Sequence, residues 1–317
     1  MTEHARKATP IVLDCDPGVD DAFAILLAAG SPAIDLLGIT TVAGNHTIER
    51  MTLNARRICS LAGIRDVPIA QGCEGPLVRS QITAPQIHGD SGLGGYDFAG
   101  EPDVAVDPRH GVDFLVDTFM ARDDATLVAI GPLTNVAVAL RREPRLAARI
   151  RRISIMGGAW GLGNFTPAAE FNIVADPEAA RIVYESGIPI TMCGLELTRQ
   201  AVATPDVIDR VAALGTPVGD MGAAMLRFYA NSTRRRRRSF GPALHDPCAV
   251  AWVIDPSIVA TEPMHVDVET HSEFSYGRTV VDVDGVLGGP ANVDVATTLD
   301  APRFWDLLIG VLATFRP

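Results

Sequence analysis

The chain contains no apolar run long enough to cross a bilayer, and its first ten residues are polar, without the hydrophobic stretch of a secretory signal. A cytoplasmic protein with no membrane partner is therefore expected. The chain also lacks a basic excess. With 27 Lys and Arg against 38 Asp and Glu the formal net charge is -11, which argues against nucleic acid as a partner, because binding a phosphate backbone needs a basic face. Small neutral substrates fit better. No even, closely spaced set of cysteines is present. Cys15, Cys59, Cys73, Cys193 and Cys248 are five in number and far apart, and they read as reduced core residues rather than a disulfide framework. No linker of biased composition divides the chain, so its 317 residues, 47% of them apolar, are expected to form one domain over 1–317 with a large core.

What is present is concentrated near the N-terminus. The run Ile11-Val12-Leu13-Asp14-Cys15-Asp16-Pro17-Gly18-Val19-Asp20-Asp21-Ala22 goes from apolar to acidic, turns at Pro-Gly and resumes with helical spacing. It reads as a buried parallel strand, a tight turn and a helix start. In open α/β sheets ligands bind at such carboxyl ends. Four aspartates in eight residues repel one another unless something positive sits among them. With oxygen donors only and no His or Cys pair at zinc spacing, Ca²⁺ or Mg²⁺ fits best. Capping of the helix start accounts for Asp20 or Asp21 but not for all four.

Further strands are expected over 34–42, 67–70, 125–130, 153–156 and 188–193, alternating with helices such as those over 47–61 and 112–120. This alternation predicts a doubly wound α/β domain with a mostly parallel central sheet. Short antiparallel strands near 264–268, 278–283 and 293–298 follow, and a helix over 301–315 closes the chain. Several strand ends deliver polar residues to one edge. Asn45 follows the second strand, where it is either a ligand donor or a helix cap. The carbonyl of Ile130 lies at a strand-to-helix turn without an assured backbone partner, and such carbonyls are ordinary Ca²⁺ ligands. Asn164, Glu170 and Asn172 lie on a glycine-rich loop after Met156, as a sugar-reading set or as solvated loop residues. Asp246 precedes Pro247 at a helix start, where capping is the plain alternative. Gly- and Pro-rich residues over 73–95 include His88, a substrate contact or a loop-stabilising group. Five consecutive arginines at 234–238 read as a solvated flap between a helix and a Gly-Pro turn.

The segment Asp14-Cys15-Asp16-Pro17-Gly18-Val19-Asp20-Asp21-Ala22 resembles the N-terminal fingerprint of the inosine-uridine preferring nucleoside hydrolases. The turn Gly131-Pro132-Leu133-Thr134-Asn135, the stretch from Met156-Gly157-Gly158 through Ala169-Glu170-Phe171-Asn172, and His245-Asp246-Pro247 resemble the same family, so the likeness spans about three-quarters of the chain. It implies Ca²⁺-dependent hydrolysis of the N-glycosidic bond of ribonucleosides, pyrimidine or inosine-uridine preferring. It implies Asp16, Asp21, Asp246 and the Ile130 carbonyl as calcium ligands, with Asp16 also the general base. It assigns the ribose to Asp20, Asn45, Met156, Asn164, Glu170 and Asn172, with His88 beside the substrate. His245, relayed through Tyr229, would protonate the leaving base. Trp160 is a stacking platform or a packing residue. The segments 73–95 and 231–244 resemble the family's mobile loops, and a homodimer or homotetramer is expected.

Two other readings compete with this one. A phosphatase of the haloacid dehalogenase type also begins with strand-Asp-x-Asp, but it needs Thr or Val where Gly18 stands and a later lysine with a paired acidic motif, which is not found. A calcium-dependent binder of the same fold without chemistry would have lost Asp16 or His245, and both are present.

Overall fold

The computed structural model describes residues 7–233 and 242–316, with the side chain of Thr233 left out. The arginines at 234–238, and most of the expected loop at 231–244, lie outside the described residues.

Strand β1 (Thr9–Cys15) is buried along almost its whole length, as a strand covered on both faces must be. Its parity sets the two sides of the molecule. Ile11, Leu13 and Cys15 enter one apolar cluster, whereas Val12 enters the other. The helix Val19–Gly30 packs into the first cluster and buries Phe23, Ile25, Leu26 and Leu27 completely, each worth about 1.5–3 kcal/mol of transfer free energy. The helices Gly111–Met120, Thr134–Arg142 and Pro177–Tyr184 cover the second.

The remaining strands are β2 (Ile34–Thr41), β3 (Ile69–Gln71), β4 (Val106–Asp107), β5 (Thr126–Ala129), β6 (Arg152–Met156), β7 (Ile190–Cys193), β8 (Val259–Val268), β9 (Thr279–Asp282) and β10 (Val293–Leu299). They form one ten-stranded sheet in the order β4-β3-β2-β1-β5-β6-β7-β10-β8-β9. From β4 through β7 every pairing is parallel, giving the expected doubly wound, mostly parallel sheet. The C-terminal strands extend it with one difference from expectation. β10 inserts beside β7 in parallel, and only β8 and β9 are antiparallel to their neighbours. The last strand of the chain takes the inner position beside β7 and runs parallel to it, and β8 lies between β10 and β9, antiparallel to both.

Strand order reverses at β1, whose neighbours are β2 on one side and β5 on the other. The carboxyl ends of β1, β5 and β6 consequently open one crevice, into which Asp16, Ile130 and Met156 deliver their groups.

Candidate active site

A cavity of about 290 Å³ occupies that crevice, lined by Asp16, Asp20, Asn45, His88, Ile130, Met156, Asn164, Glu170, Asn172, Tyr229, His245 and Asp246. These are all the residues to which the family resemblance gave a metal, ribose or catalytic role except Asp21, which lies directly behind the wall at zero exposure. The Asp16-Pro17-Gly18 turn is closed by Asp21, whose Oδ1 accepts the Asp16 N–H at 3.1 Å and whose Oδ2 accepts the Gly18 N–H at 2.9 Å. One carboxylate thus holds both ends of the turn that presents the next. Asp16 Oδ2 accepts the Asn45 N–H at 2.7 Å, while its Oδ1 is buried with no hydrogen-bond partner among the described residues.

Asp246 reaches this group from the far end of the chain. It begins the helix Pro247–Ile254 but makes no capping hydrogen bond to it; its side chain meets that of Asp21 instead. Two buried carboxylates in contact need a shared proton or a cation. Oxygens of Asp20, Asp21 and Asp246 lie within 4.8 Å of one another, a spacing that could hold a metal ion. Burial raises the Asp16 and Asp246 carboxyls well above the usual range, and the neighbouring aspartates push them further. Burial likewise takes Asp20 to about 6, against the opposing influence of His88, and Asp21 to about 6 despite its two backbone donors. A cation at this point would reverse that ordering and keep the group ionised.

The fourth aspartate of the run does not belong to the group. Asp14 shares the parity of Val12, so it points to the other face of the sheet, where its Oδ1 accepts from the Thr40 hydroxyl and, at 2.7 Å, from Asn135 Nδ2. Burial lifts it to about 7. Of the four aspartates expected around one cation, three belong to the group, Asp16, Asp20 and Asp21, because they follow the end of β1, whereas Asp14 is still in the strand and is used up on its far face.

The glycine-rich loop folds back so that Asn172 Nδ2 donates to the carbonyls of Ile130 at 2.8 Å and Met156 at 3.0 Å. Glu170, only 2% exposed, accepts three backbone N–H groups, from Asn172, Ile173 and Gly158, and burial raises it to about 7. It caps the short helix Phe171–Ala175 while lining the cavity. Asn164 Oδ1 accepts the Phe171 N–H at 2.9 Å. On the opposite wall the short helix Pro85–His88, inside the 73–95 segment, brings up His88, whose Nδ1 accepts the Val19 N–H at 3.2 Å. The His88 ring stacks on Tyr229 with centroids 6.0 Å apart. His245 Nδ1 lies 2.7 Å from Thr198 Oγ1.

Some lining residues carried no signal in the sequence. Leu162, Phe165 and Arg199 are among them. Each is an unremarked member of a loop or helix end that only the fold brings to the crevice. Trp160 does not line the cavity; it packs against the second apolar cluster, the packing alternative of the two left open. All five cysteines are unpaired, four of them buried. Among the described residues no helix is long and apolar enough to cross a membrane.

Fold and cavity together define a carboxylate-centred α/β enzyme with its site at the sheet's switch point. The chain belongs to the inosine-uridine preferring nucleoside hydrolases, whose family model matches residues 11–306. It is 48% identical over 300 residues to the pyrimidine-specific ribonucleoside hydrolase RihB of Escherichia coli (strain K12), covering 94% of this chain and 95% of that one, and it matches the Shigella sonnei enzyme of the same name to the same extent. Among solved structures it resembles the purine-preferring ribonucleoside hydrolase from Gardnerella vaginalis, with a TM-score of 0.90 and 34% identity over 96% of this chain and 98% of that one. A plant nucleoside hydrolase aligns with a TM-score of 0.89 and 31% identity over 96% and 99%.

Proposed function

We propose that this protein is a calcium-dependent ribonucleoside hydrolase that prefers pyrimidine nucleosides and releases ribose and the free base. The observation that carries the reading is the Asp16 carboxylate. One oxygen is clamped by Asn45 and the other is buried without a partner, beside three aspartates whose oxygens converge. The pyrimidine preference rests on the similarity to RihB.

The donor set fits a hard cation. The buried unpartnered oxygen of Asp16, the Asp21–Asp246 contact and the purely oxygen character of the group suit Ca²⁺, with Asp16, Asp21, Asp246 and the Ile130 carbonyl as its ligands. Bound there, Ca²⁺ supplies charge that acidifies a water and organises sugar hydroxyls. The chain's own residues do the rest. Asp16 accepts a proton from the attacking water, whose oxygen bonds to the anomeric carbon as the bond to the base nitrogen breaks. Asp20 and Asn172 hold ribose hydroxyls, Asn45 supports the 2′ side, and Asn164 and Glu170 the 5′ side, with Met156 beneath the ring. Such contacts to the non-reacting sugar supply binding energy that favours the transition state. His245 donates a proton to the departing base, with Tyr229 and His88 forming the adjoining wall.

The 73–95 segment contributes Gln86, Ile87 and His88 to the cavity, which supports its reading as a loop beside the substrate. The unpaired cysteines support a reducing, cytoplasmic setting. The chain is taken as one nucleoside hydrolase domain acting as a homodimer or homotetramer.

The test is release of free ribose from uridine, cytidine, inosine and adenosine, before and after removal of divalent cations. Cleavage of uridine and cytidine that is lost with chelator and restored by Ca²⁺ is expected. Failure of the Ca²⁺-loaded protein to cleave any of the four overturns the reading.

A further inference from the structure

His245 is held from behind by a residue that no motif marks. Thr198 ends the helix Leu195–Thr198 just after β7 and has zero solvent exposure, yet its hydroxyl lies 2.7 Å from His245 Nδ1. The imidazole lines the cavity, so with Nδ1 on the buried Thr198 side, Nε2 is the nitrogen on the cavity side.

The backbone around the pair keeps it in place. Val202 and Ala243 form an isolated antiparallel bridge, with Ala203 N–H donating to the Pro242 carbonyl at 2.9 Å and Leu244 N–H to the Ala201 carbonyl at 3.0 Å. The Cys248 N–H donates to the His245 carbonyl at 3.1 Å. The two segments are therefore zipped together immediately beside the side-chain contact. A hydroxyl suits the position chemically, because it can donate to a bare ring nitrogen or accept from a protonated one. The hydrogen bond made by one ring nitrogen fixes which hydrogen the other carries.

We propose that Thr198 is the positioning residue for His245: its hydroxyl donates to Nδ1 and so presents an Nε2–H to the leaving base. This rests on the role given to His245 above. Thr198 touches no substrate; it sets the ring's rotation and tautomer.

The prediction separates substrates by leaving group. Thr198→Val, close in volume but without the hydroxyl, lowers kcat on uridine by about 10- to 100-fold with KM changed less, because proton donation to the base is impaired. The same variant cleaves p-nitrophenyl β-D-ribofuranoside at nearly the wild-type rate, since that leaving group departs without a proton. Thr198→Ser restores uridine turnover. Unchanged uridine turnover in Thr198→Val, or an equal loss on both substrates, overturns the proposal and leaves Thr198 a packing residue. A second readout does not depend on turnover. Long-range ¹H–¹⁵N spectra of the imidazoles, with the His245 signals assigned by their loss in His245→Asn, show a single Nε2–H tautomer in the wild type and a mixture in Thr198→Val. A wild-type protein silent on every riboside would sink the hydrolase reading, while the tautomer spectra would still decide the role of Thr198.

Discussion

Asn45 holds Asp16 from two directions: its backbone N–H donates to the Asp16 carboxylate at 2.7 Å, and its side-chain Nδ2 donates to the Asp16 carbonyl at 3.0 Å. The helix that follows starts at Ile48 with Thr47 before it, so Asn45 is not its cap. It ties the end of β2 to the turn after β1 and fixes the direction of one carboxylate. Asn45→Ala keeps the backbone contact but loses the second, and kcat for uridine should fall about a hundredfold, the cost of a small misplacement of a reacting group. Steady-state kinetics on the Ca²⁺-loaded variant check this.

Asp16→Asn is nearly isosteric and removes the proton acceptor. Turnover should drop by about 10²- to 10⁴-fold. The cation-free fold should not suffer, because the substitution removes a buried carboxyl whose charge burial and Asp21 oppose. A melting temperature in chelator at or above that of the wild type, together with lost ribose release, is the expected pair of results.

The Asp16 carboxylate also has walls that tolerate no side chain. A Cβ at Gly44 would come within 2.2 Å of Asp16 Oδ2, and one at Gly131 within 2.7 Å of Oδ1. Gly44→Ala must displace the carboxylate or the adjacent Pro132, at about 1–3 kcal/mol of overpacking. Activity should fall below a few per cent of wild type, a loss comparable to other misplacements of a reacting group. Retained far-ultraviolet circular dichroism would show that the fold survives; retained activity would contradict the assignment of Asp16.

Stability of the cation-free protein should depend on pH in a defined direction. Asp20 and Asp21 titrate at about 6 in the fold against an ordinary 3.8, and Glu170 at about 7 against 4.5, mainly through burial. Each binds its proton more tightly folded than unfolded. Their contribution is therefore complete below the ordinary values and is lost as pH rises through 6 to 7. The melting temperature in chelator should fall between about pH 5 and about pH 7.5, and the rise produced by Ca²⁺ should be larger at the higher pH. Differential scanning fluorimetry at the two pH values decides it.

Trp160→Phe should leave the ratio of uridine to inosine cleavage within about twofold, because the indole packs against the second apolar cluster rather than the cavity. A large change in that ratio would place Trp160 at the base after all.

The strand, turn and helix around Asp16 were legible in the chain because each is set locally: an apolar run covered on both faces, a Pro-Gly turn and carboxylates at a helix start. The parallel sheet followed from the alternation of elements, and the residues of the crevice from strand ends that the doubly wound topology sends to one edge. What the chain could not reveal depended on direction and distance. Asp14 and Asp16 look equivalent as letters, but Asp14 is still inside β1, on the face where Thr40 and Asn135 meet it, whereas Asp16 lies past the strand's end in the turn held by Asp21. Asp246 has helix capping as an alternative until the fold sets its side chain against Asp21, and Thr198 carries no mark at all until the bridge at Val202 and Ala243 brings it to His245. Sequence alone determined which groups reach the carboxyl edge, because period and turn chemistry are local; tertiary structure decided which of them meet, because contacts between residues far apart in the chain are set by packing.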